Sequence, residues 1–81
     1  MGKDFDWDIS EVYLDMMVYN FNYAIETNRD KVYMGYDDET LIDYFVYRKD
    51  WKVTIDILLE GAVEIEAYEY AAQLKNIKDK L

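Results

Sequence analysis

The residues best suited to chemistry in this sequence are carboxylates that stand together without a base. Residues 54–70, TIDILLEGAVEIEAYEY, hold five carboxylates and no Lys, Arg or His, and the segment DDET adds a second dense group. Such side chains can transfer protons, bind a divalent cation or attract a basic partner. The candidates for contact with a partner are these acids and one neighbouring tyrosine: Asp37, Asp38, Glu39, Asp56, Glu60, Glu64, Glu66, Tyr68 and Glu69.

The composition argues against catalysis. The chain has no Cys and no His, so it lacks a thiol nucleophile, the usual general base and the commonest transition-metal ligand. Its only serine is Ser10, and its three glycines do not form a phosphate-binding loop. The acids of residues 37–39 lack the alternating ligands and the glycine of a calcium-binding loop. We therefore expect no enzyme activity, no metal site and no cofactor.

The charge balance restricts the possible partners. The chain has 81 residues, which suits a single domain spanning residues 1–81, and its net charge is −9. This charge disfavours direct binding to nucleic acid or to an anionic membrane. The longest uncharged run, residues 16–25, is too short to cross a bilayer. The acidic N-terminal segment does not resemble a secretory signal, so we expect a cytoplasmic protein.

Helical periodicity dominates the chain. The segment DISE suggests a capping box with Asp8 as the N-cap, followed by a helix from Ile9 to about Thr27. Acids at residues 37–39 suggest a second helix start. Between residues 55 and 81, eight apolar side chains recur at steps of three or four. We expect an all-α bundle of three or four helices; the alternative is an α+β domain with a small antiparallel meander over residues 31–70, because residues 53–57 and 63–65 also alternate.

Two short segments of the chain resemble each other. Residues 23–34 and residues 61–72 share Ala, a β-branched residue and Glu at matching places. Each segment could form the bend of a helical hairpin. This similarity favours the helical interpretation of the last third of the chain.

The first predicted helix is apolar over more than half of its circumference. Two stripes follow from the spacing: Ile9, Val12, Met16, Tyr19 and Tyr23 form one, and Leu14, Met17, Phe21 and Ile25 form the other. Two apolar stripes are more than one small core can cover, so one of them would stay exposed. A large exposed apolar patch usually marks an interface. The sequence therefore predicts a homodimer that forms through this helix.

The last 20 residues, AVEIEAYEYAAQLKNIKDKL, resemble the UVR motif, a short helical hairpin of nucleotide-excision-repair subunits and of some chaperone–protease adaptors. The residues that carry the resemblance are Ala62, Val63, Tyr68, Glu69, Ala71, Ala72, Leu74 and Lys75. The sequence departs from the motif at Ala67, Asn76 and Ile77. The resemblance implies a module for contact with another protein and no catalysis.

The spacing of the acids suggests what kind of partner they face. On a helix, Asp56, Glu60 and Glu64 would recur at steps of about 6 Å, and each like-charged pair costs about 0.2–0.5 kcal/mol. A surface that tolerates this cost is suited to a basic partner, since rows of carboxylates can replace the phosphates of a nucleic acid. A solvated face without a partner is the competing interpretation.

In size, acidity, lack of Cys and richness in Tyr and acids, the chain resembles the small inhibitors of phages and mobile elements, the anti-restriction and anti-CRISPR proteins. This resemblance implies a non-enzymatic inhibitor that acts as a DNA mimic. Its partner would be a nucleic-acid-binding protein with a basic groove, such as a CRISPR or restriction effector. The alternative is an acidic helical adaptor or oligomerisation module of the UVR type.

Overall fold

In the computed structural model, which describes residues 9–81, three helices pack around a β-hairpin. The elements follow in the order α1 (Glu11–Glu26), β1 (Lys31–Asp37), β2 (Ile42–Tyr47), α2 (Trp51–Glu64) and α3 (Tyr68–Lys80), with one 3-10 turn (Arg48–Asp50) before α2. The predicted all-α bundle is therefore wrong, and the α+β alternative is confirmed in class. The strands end at Tyr47, however, and residues 51–64 of the expected meander are helical.

The segment DDET forms the turn of the hairpin and does not begin a helix. The Asp37 carboxylate accepts a hydrogen bond from the backbone N–H of Glu39 (3.0 Å), and the Asp37 carbonyl accepts one from Leu41 (2.8 Å). Asp favours turns through this side-chain bond to the backbone two residues on. The same bonding ability makes Asp a good helix cap, so the local sequence did not distinguish the two outcomes.

Helix α1 begins later than predicted. Ser10 is the N-cap, and its hydroxyl accepts a hydrogen bond from the backbone N–H of Tyr13 (3.2 Å). The predicted cap, Asp8, lies outside the described residues. Ile9 precedes the helix and packs against Gly61, where an added Cβ would lie 2.6 Å from the Ile9 Cδ1 atom. The glycine inside α2 therefore makes room for the chain that enters α1.

The C-terminal end of α1 is a Schellman motif. Arg29 N–H donates to the Ala24 carbonyl (2.8 Å), and Asn28 N–H donates to the Ile25 carbonyl (3.3 Å). Asn28 has the left-handed conformation this motif needs, with φ of 56°. The chain then enters β1, so the expectation of a helical hairpin in this segment is wrong.

The C-terminal end of α2 repeats the same motif. Ala67 N–H donates to the Ala62 carbonyl (2.7 Å), and Glu66 N–H donates to the Val63 carbonyl (3.0 Å). Glu66 takes the left-handed conformation, with φ of 61°. The two segments whose sequences match thus form the same helix end, and here the chain does continue as a helical hairpin, formed by α2 and α3.

One core joins the helices to the inner face of the hairpin. Trp51 is fully buried, its indole N–H donates to the Val46 carbonyl (3.0 Å), and its ring meets Phe21 edge-on at 5.7 Å. The other fully buried large side chains come mainly from the three helices: Leu14, Met17, Ile55, Leu58, Leu74 and Ile77, with Val32 from β1.

Two side chains of α1 fasten the outer edge of β1. The Tyr13 hydroxyl donates to the Met34 carbonyl (2.8 Å), and the Asn20 amide donates to the Tyr33 carbonyl (3.1 Å). The ladder is irregular at Met34, since Tyr33 lies opposite Phe45 while Gly35 lies opposite Tyr44. Burial raises the pKa of Tyr13 to about 12, so this anchoring hydroxyl keeps its proton to a higher pH than an ordinary tyrosine does.

Candidate partner-binding surface

The helix directions bring acids together at one end of the molecule. Ile9 packs on Gly61, so the start of α1 meets the end of α2. Glu11 lines a shallow depression together with residues 66–70, so the start of α3 lies there as well. We call this surface the acidic end; it comprises Glu11, Asp15, Glu60, Glu64, Glu66 and Glu69.

The local structure of the acidic end sets the energy of its charges. Glu11 and Glu69 lie in the first turns of α1 and α3, where the helix dipole favours a negative charge. Glu60 and Glu64 lie in the last turns of α2, where the dipole opposes it, and α2 has no base in its last turn. The pair on α2 therefore lowers stability on both counts, through the dipole and through mutual repulsion.

Asp56 does not belong to the uncompensated acids, although the sequence grouped it with them. The ammonium of Lys78 on α3 lies 2.6 Å from the Asp56 carboxylate, and this is the only ion pair among the described residues. Both side chains are substantially exposed, so the pair adds little to stability. Because Lys78 neutralises Asp56, this carboxylate does not add to the uncompensated negative surface that a basic partner would meet.

Two tyrosines accompany the carboxylates of the acidic end. Tyr68 is 61% exposed at the start of α3. The Tyr70 hydroxyl donates to the Asp15 carboxylate (3.2 Å). The pKa of Tyr70 is raised, mainly by partial desolvation and secondly by its hydrogen bond to Asp15. The acidic end thus offers an exposed aromatic ring between carboxylates, a combination that suits a protein interface.

Asp37, Asp38 and Glu39 lie on a different element, the tip of the hairpin. Asp37 is partly buried and its carboxylate is used in the turn, whereas Asp38 and Glu39 are exposed. In the part of the chain that the structure describes, no hydrogen bond or ion pair joins these three acids to the acidic end. The structure therefore divides the predicted site into two groups.

The carboxylates are spread over the surface and do not converge on one point. Over residues 9–81, no group of three acidic side chains is placed to hold a metal ion. An array of this kind can present negative potential to a large partner, whereas a cation needs several oxygen ligands around one centre.

The opposite end of the molecule is basic, which the sequence did not indicate. Arg48, Lys49, Lys52 and Lys80 line one depression together with Ile25, at the end of α1. The Arg48 guanidinium lies over the Trp51 ring at 4.5 Å and donates to the carbonyl of Arg29. Arg48, Lys49 and Lys52 lie close together in the sequence, and the fold adds Lys80 from the end of α3.

A groove of about 590 Å³ runs between α1 and the outer face of the hairpin near this basic end. Arg29 lies over the ring of Tyr23 (5.7 Å), and Lys31 lies over the ring of Phe45 (4.4 Å). The remaining lining includes Asn20, Tyr33 and Tyr47. Sequence reasoning missed this groove because it favoured helices over the strands of the alternative fold at residues 31–47.

Comparison of the chain with protein families, with characterised proteins and with solved structures gives no match. Among the described residues, no helix is both long and apolar enough to cross a membrane.

Proposed function

We propose that the protein is a non-enzymatic inhibitor whose acidic end enters the basic groove of a nucleic-acid-binding protein. A CRISPR or restriction effector in the cytoplasm of a host cell would be such a partner. The protein would occupy the groove in place of the nucleic acid.

The observation that carries the proposal is the run of exposed acids across the bend between α2 and α3. Glu60, Glu64, Glu66 and Glu69 follow one another there without an ion-pairing base among residues 9–81. Successive turns of a helix separate such charges by about 6 Å, a spacing of the order of that between phosphates. The basic end faces away from this surface, so the charge asymmetry would orient the molecule as it approaches a cationic groove.

The test is the affinity for a purified partner, captured from host extract, at low and high salt. Reversing Glu60, Glu64, Glu66 and Glu69 to Lys should abolish binding, and the affinity of the unchanged protein should fall steeply with salt because its exposed charges are screened. Competing DNA or RNA should displace the protein. The fold should survive, since the reversals relieve repulsion between like charges.

A matched control separates the position of the charges from their number. Reversal of Glu26, Asp30, Asp50 and Asp79, which are exposed acids outside the acidic end, also changes the net charge by +8, from −9 to −1. This variant should keep most of the affinity. If the affinity changes neither with salt nor with either set of reversals, the proposed inhibitor function is contradicted.

A second candidate, the UVR-like adaptor, is favoured by the helical hairpin of α2 and α3. Two residues that carry the resemblance, Ala62 and Leu74, are fully buried in the core of this chain. The contact surface of an adaptor would instead use Val63 and Tyr68, which are 52% and 61% exposed. Replacing both by Ala should then abolish binding that does not depend on salt.

A further inference from the structure

Strand β2 is the most exposed regular element of the hairpin. Only Val46 of its six residues is buried. Ile42 is 49% exposed, Phe45 40% and Tyr47 53%. The sequence IDYFVY has high β-propensity and contains neither Pro nor Lys, the residues that commonly protect an edge strand.

The two edges of the hairpin differ in how their backbone groups are used. The outer edge of β1 receives hydrogen bonds from Tyr13 and Asn20 of α1. Arg48 N–H bonds to the Asp30 carbonyl, and bonded and non-bonded pairs alternate in an antiparallel ladder, so the backbone groups of Phe45 and Tyr47 point outward. Tyr47 is the N-cap of the 3-10 turn, so its carbonyl accepts the first hydrogen bond of that turn and keeps one lone pair. Among residues 9–81, no hydrogen bond from outside the hairpin reaches the two Phe45 groups or the Tyr47 N–H.

We propose that the outer edge of β2 pairs antiparallel with β2 of a second copy of this chain, forming a four-stranded sheet across a two-fold axis. Phe45 of each copy would lie opposite Tyr47 of the other copy. The outward N–H and C=O groups of the two residues would form hydrogen bonds across the two-fold axis. A two-stranded sheet is marginal by itself, and two further strands supply the missing partners.

Charge favours a second copy as the partner of this edge. Asp43 lies near the start of β2, whereas Arg48 and Lys49 follow its end. Antiparallel pairing therefore brings Asp43 of each copy toward the bases of the other, which makes the edge complementary to itself. Residues 41–49 carry two bases and one acid, a net +1 in a chain of −9, so repulsion between two copies is weak here.

The proposed interface leaves the acidic end free, because that end is built from α1, α2 and α3. The dimer would present two acidic ends, and its existence does not depend on the proposed function. It also differs from the dimer predicted through α1. Of the first apolar stripe, Ile9 and Met16 pack against the core, and Tyr19 stacks on Tyr23 at 6.3 Å.

The first test is sedimentation equilibrium of the full chain at high micromolar concentration. We expect a dimer, and we expect Phe45→Pro to be a monomer. Proline removes the outward N–H of residue 45 and leaves the bonds between β1 and β2 in place. Circular dichroism checks that this variant is folded. Should it unfold, Asp43→Lys serves instead: it should weaken the dimer several-fold, and adding Lys49→Asp should restore it.

The second test locates the interface by oxidative cross-linking, for which this chain without Cys is well suited. The double variant Phe45→Cys with Tyr47→Cys should give covalent dimers, because residue 45 of one copy lies opposite residue 47 of the other and paired strands lie about 4.8 Å apart. Val12→Cys, on the exposed face of α1, should not. A monomer at all concentrations, or cross-linking through Val12→Cys alone, would overturn the proposal.

Discussion

The ends of α1 and α2 are built alike and lead to different structures. Both are Schellman motifs, with a buried Ala whose carbonyl accepts the longest-range bond, Ala24 in α1 and Ala62 in α2. The left-handed residue is Asn28 in the first motif and Glu66 in the second. The same local geometry thus serves a turn into a strand and a turn into a helix.

The left-handed backbone conformation costs a different amount of free energy at each of the two residues. Asn reaches this conformation readily, whereas other residues with a side chain lose about 1–2 kcal/mol. Glu66 lies in the acidic end, where Gly would be more stable but would carry no charge. Strained residues persist most often at functional sites, so this placement agrees with the proposed use of the carboxylates.

The elements that follow the two helix ends are held in different ways. Hydrogen bonds from the side chains of Tyr13 and Asn20 hold β1 to α1. Helix α3 is held by apolar contact, through the buried side chains of Leu74 and Ile77. Loss of the apolar contacts should therefore cost more than loss of one of the polar contacts.

The largest effect is expected where α3 packs. Leu74→Ala should lower the free energy of unfolding by about 2–5 kcal/mol, because it removes a fully buried side chain and leaves a cavity. Urea denaturation followed by circular dichroism measures it. Tyr68→Ala, on the exposed side of the same helix, should stay within about 0.5 kcal/mol. Equal losses in the two variants would contradict the assignment of the two faces of α3.

A smaller effect is expected where the hairpin is fastened. Tyr13→Phe should cost about 0.5–1.5 kcal/mol, since it removes the hydrogen bond to Met34. Tyr19→Phe, at an exposed position of the same helix, is the control.

The same tyrosine should make stability depend on alkaline pH. The pKa of Tyr13 is about 12 in the folded protein, whereas an unburied tyrosine has a pKa of 10.0. Between these values the unfolded chain loses the proton first, so the free energy of unfolding should fall as pH rises from 10 toward 12. This loss should be smaller in Tyr13→Phe. An identical alkaline profile in both proteins would show that Tyr13 is not the cause.

The smallest effect, and one of opposite sign, is expected at the left-handed positions. Glu66→Gly should raise the free energy of unfolding by about 0.5–1 kcal/mol, because relief of strain exceeds the added entropy of the unfolded chain. Asn28→Gly should change it by only a few tenths, since Asn is already tolerated. If the acidic end binds a partner, Glu66→Gly should also bind it less well. A loss of stability in Glu66→Gly would refute the argument from strain.

Local sequence determined much of the helical structure. The spacing of apolar residues predicted α1 nearly to its end and the helical state of most residues between 51 and 80, and the similarity of residues 23–34 and 61–72 marked two places where a helix ends. These features depend on neighbours three to five residues apart, so they are visible in the sequence. The same local view failed at residues 37–39, where Asp suits a helix cap and a turn equally well.

Tertiary structure decided which charges act together. Lys78 neutralises Asp56 from 22 residues away, Lys80 joins the bases of residues 48–52 at the basic end, and Asp37 is used in a turn apart from the other acids. The exposed edge of β2 likewise exists only because α1 lies along β1 and leaves the other side of the hairpin open. Electrostatic energy depends on distance through space and on exposure to solvent, and neither quantity is written in the order of the residues.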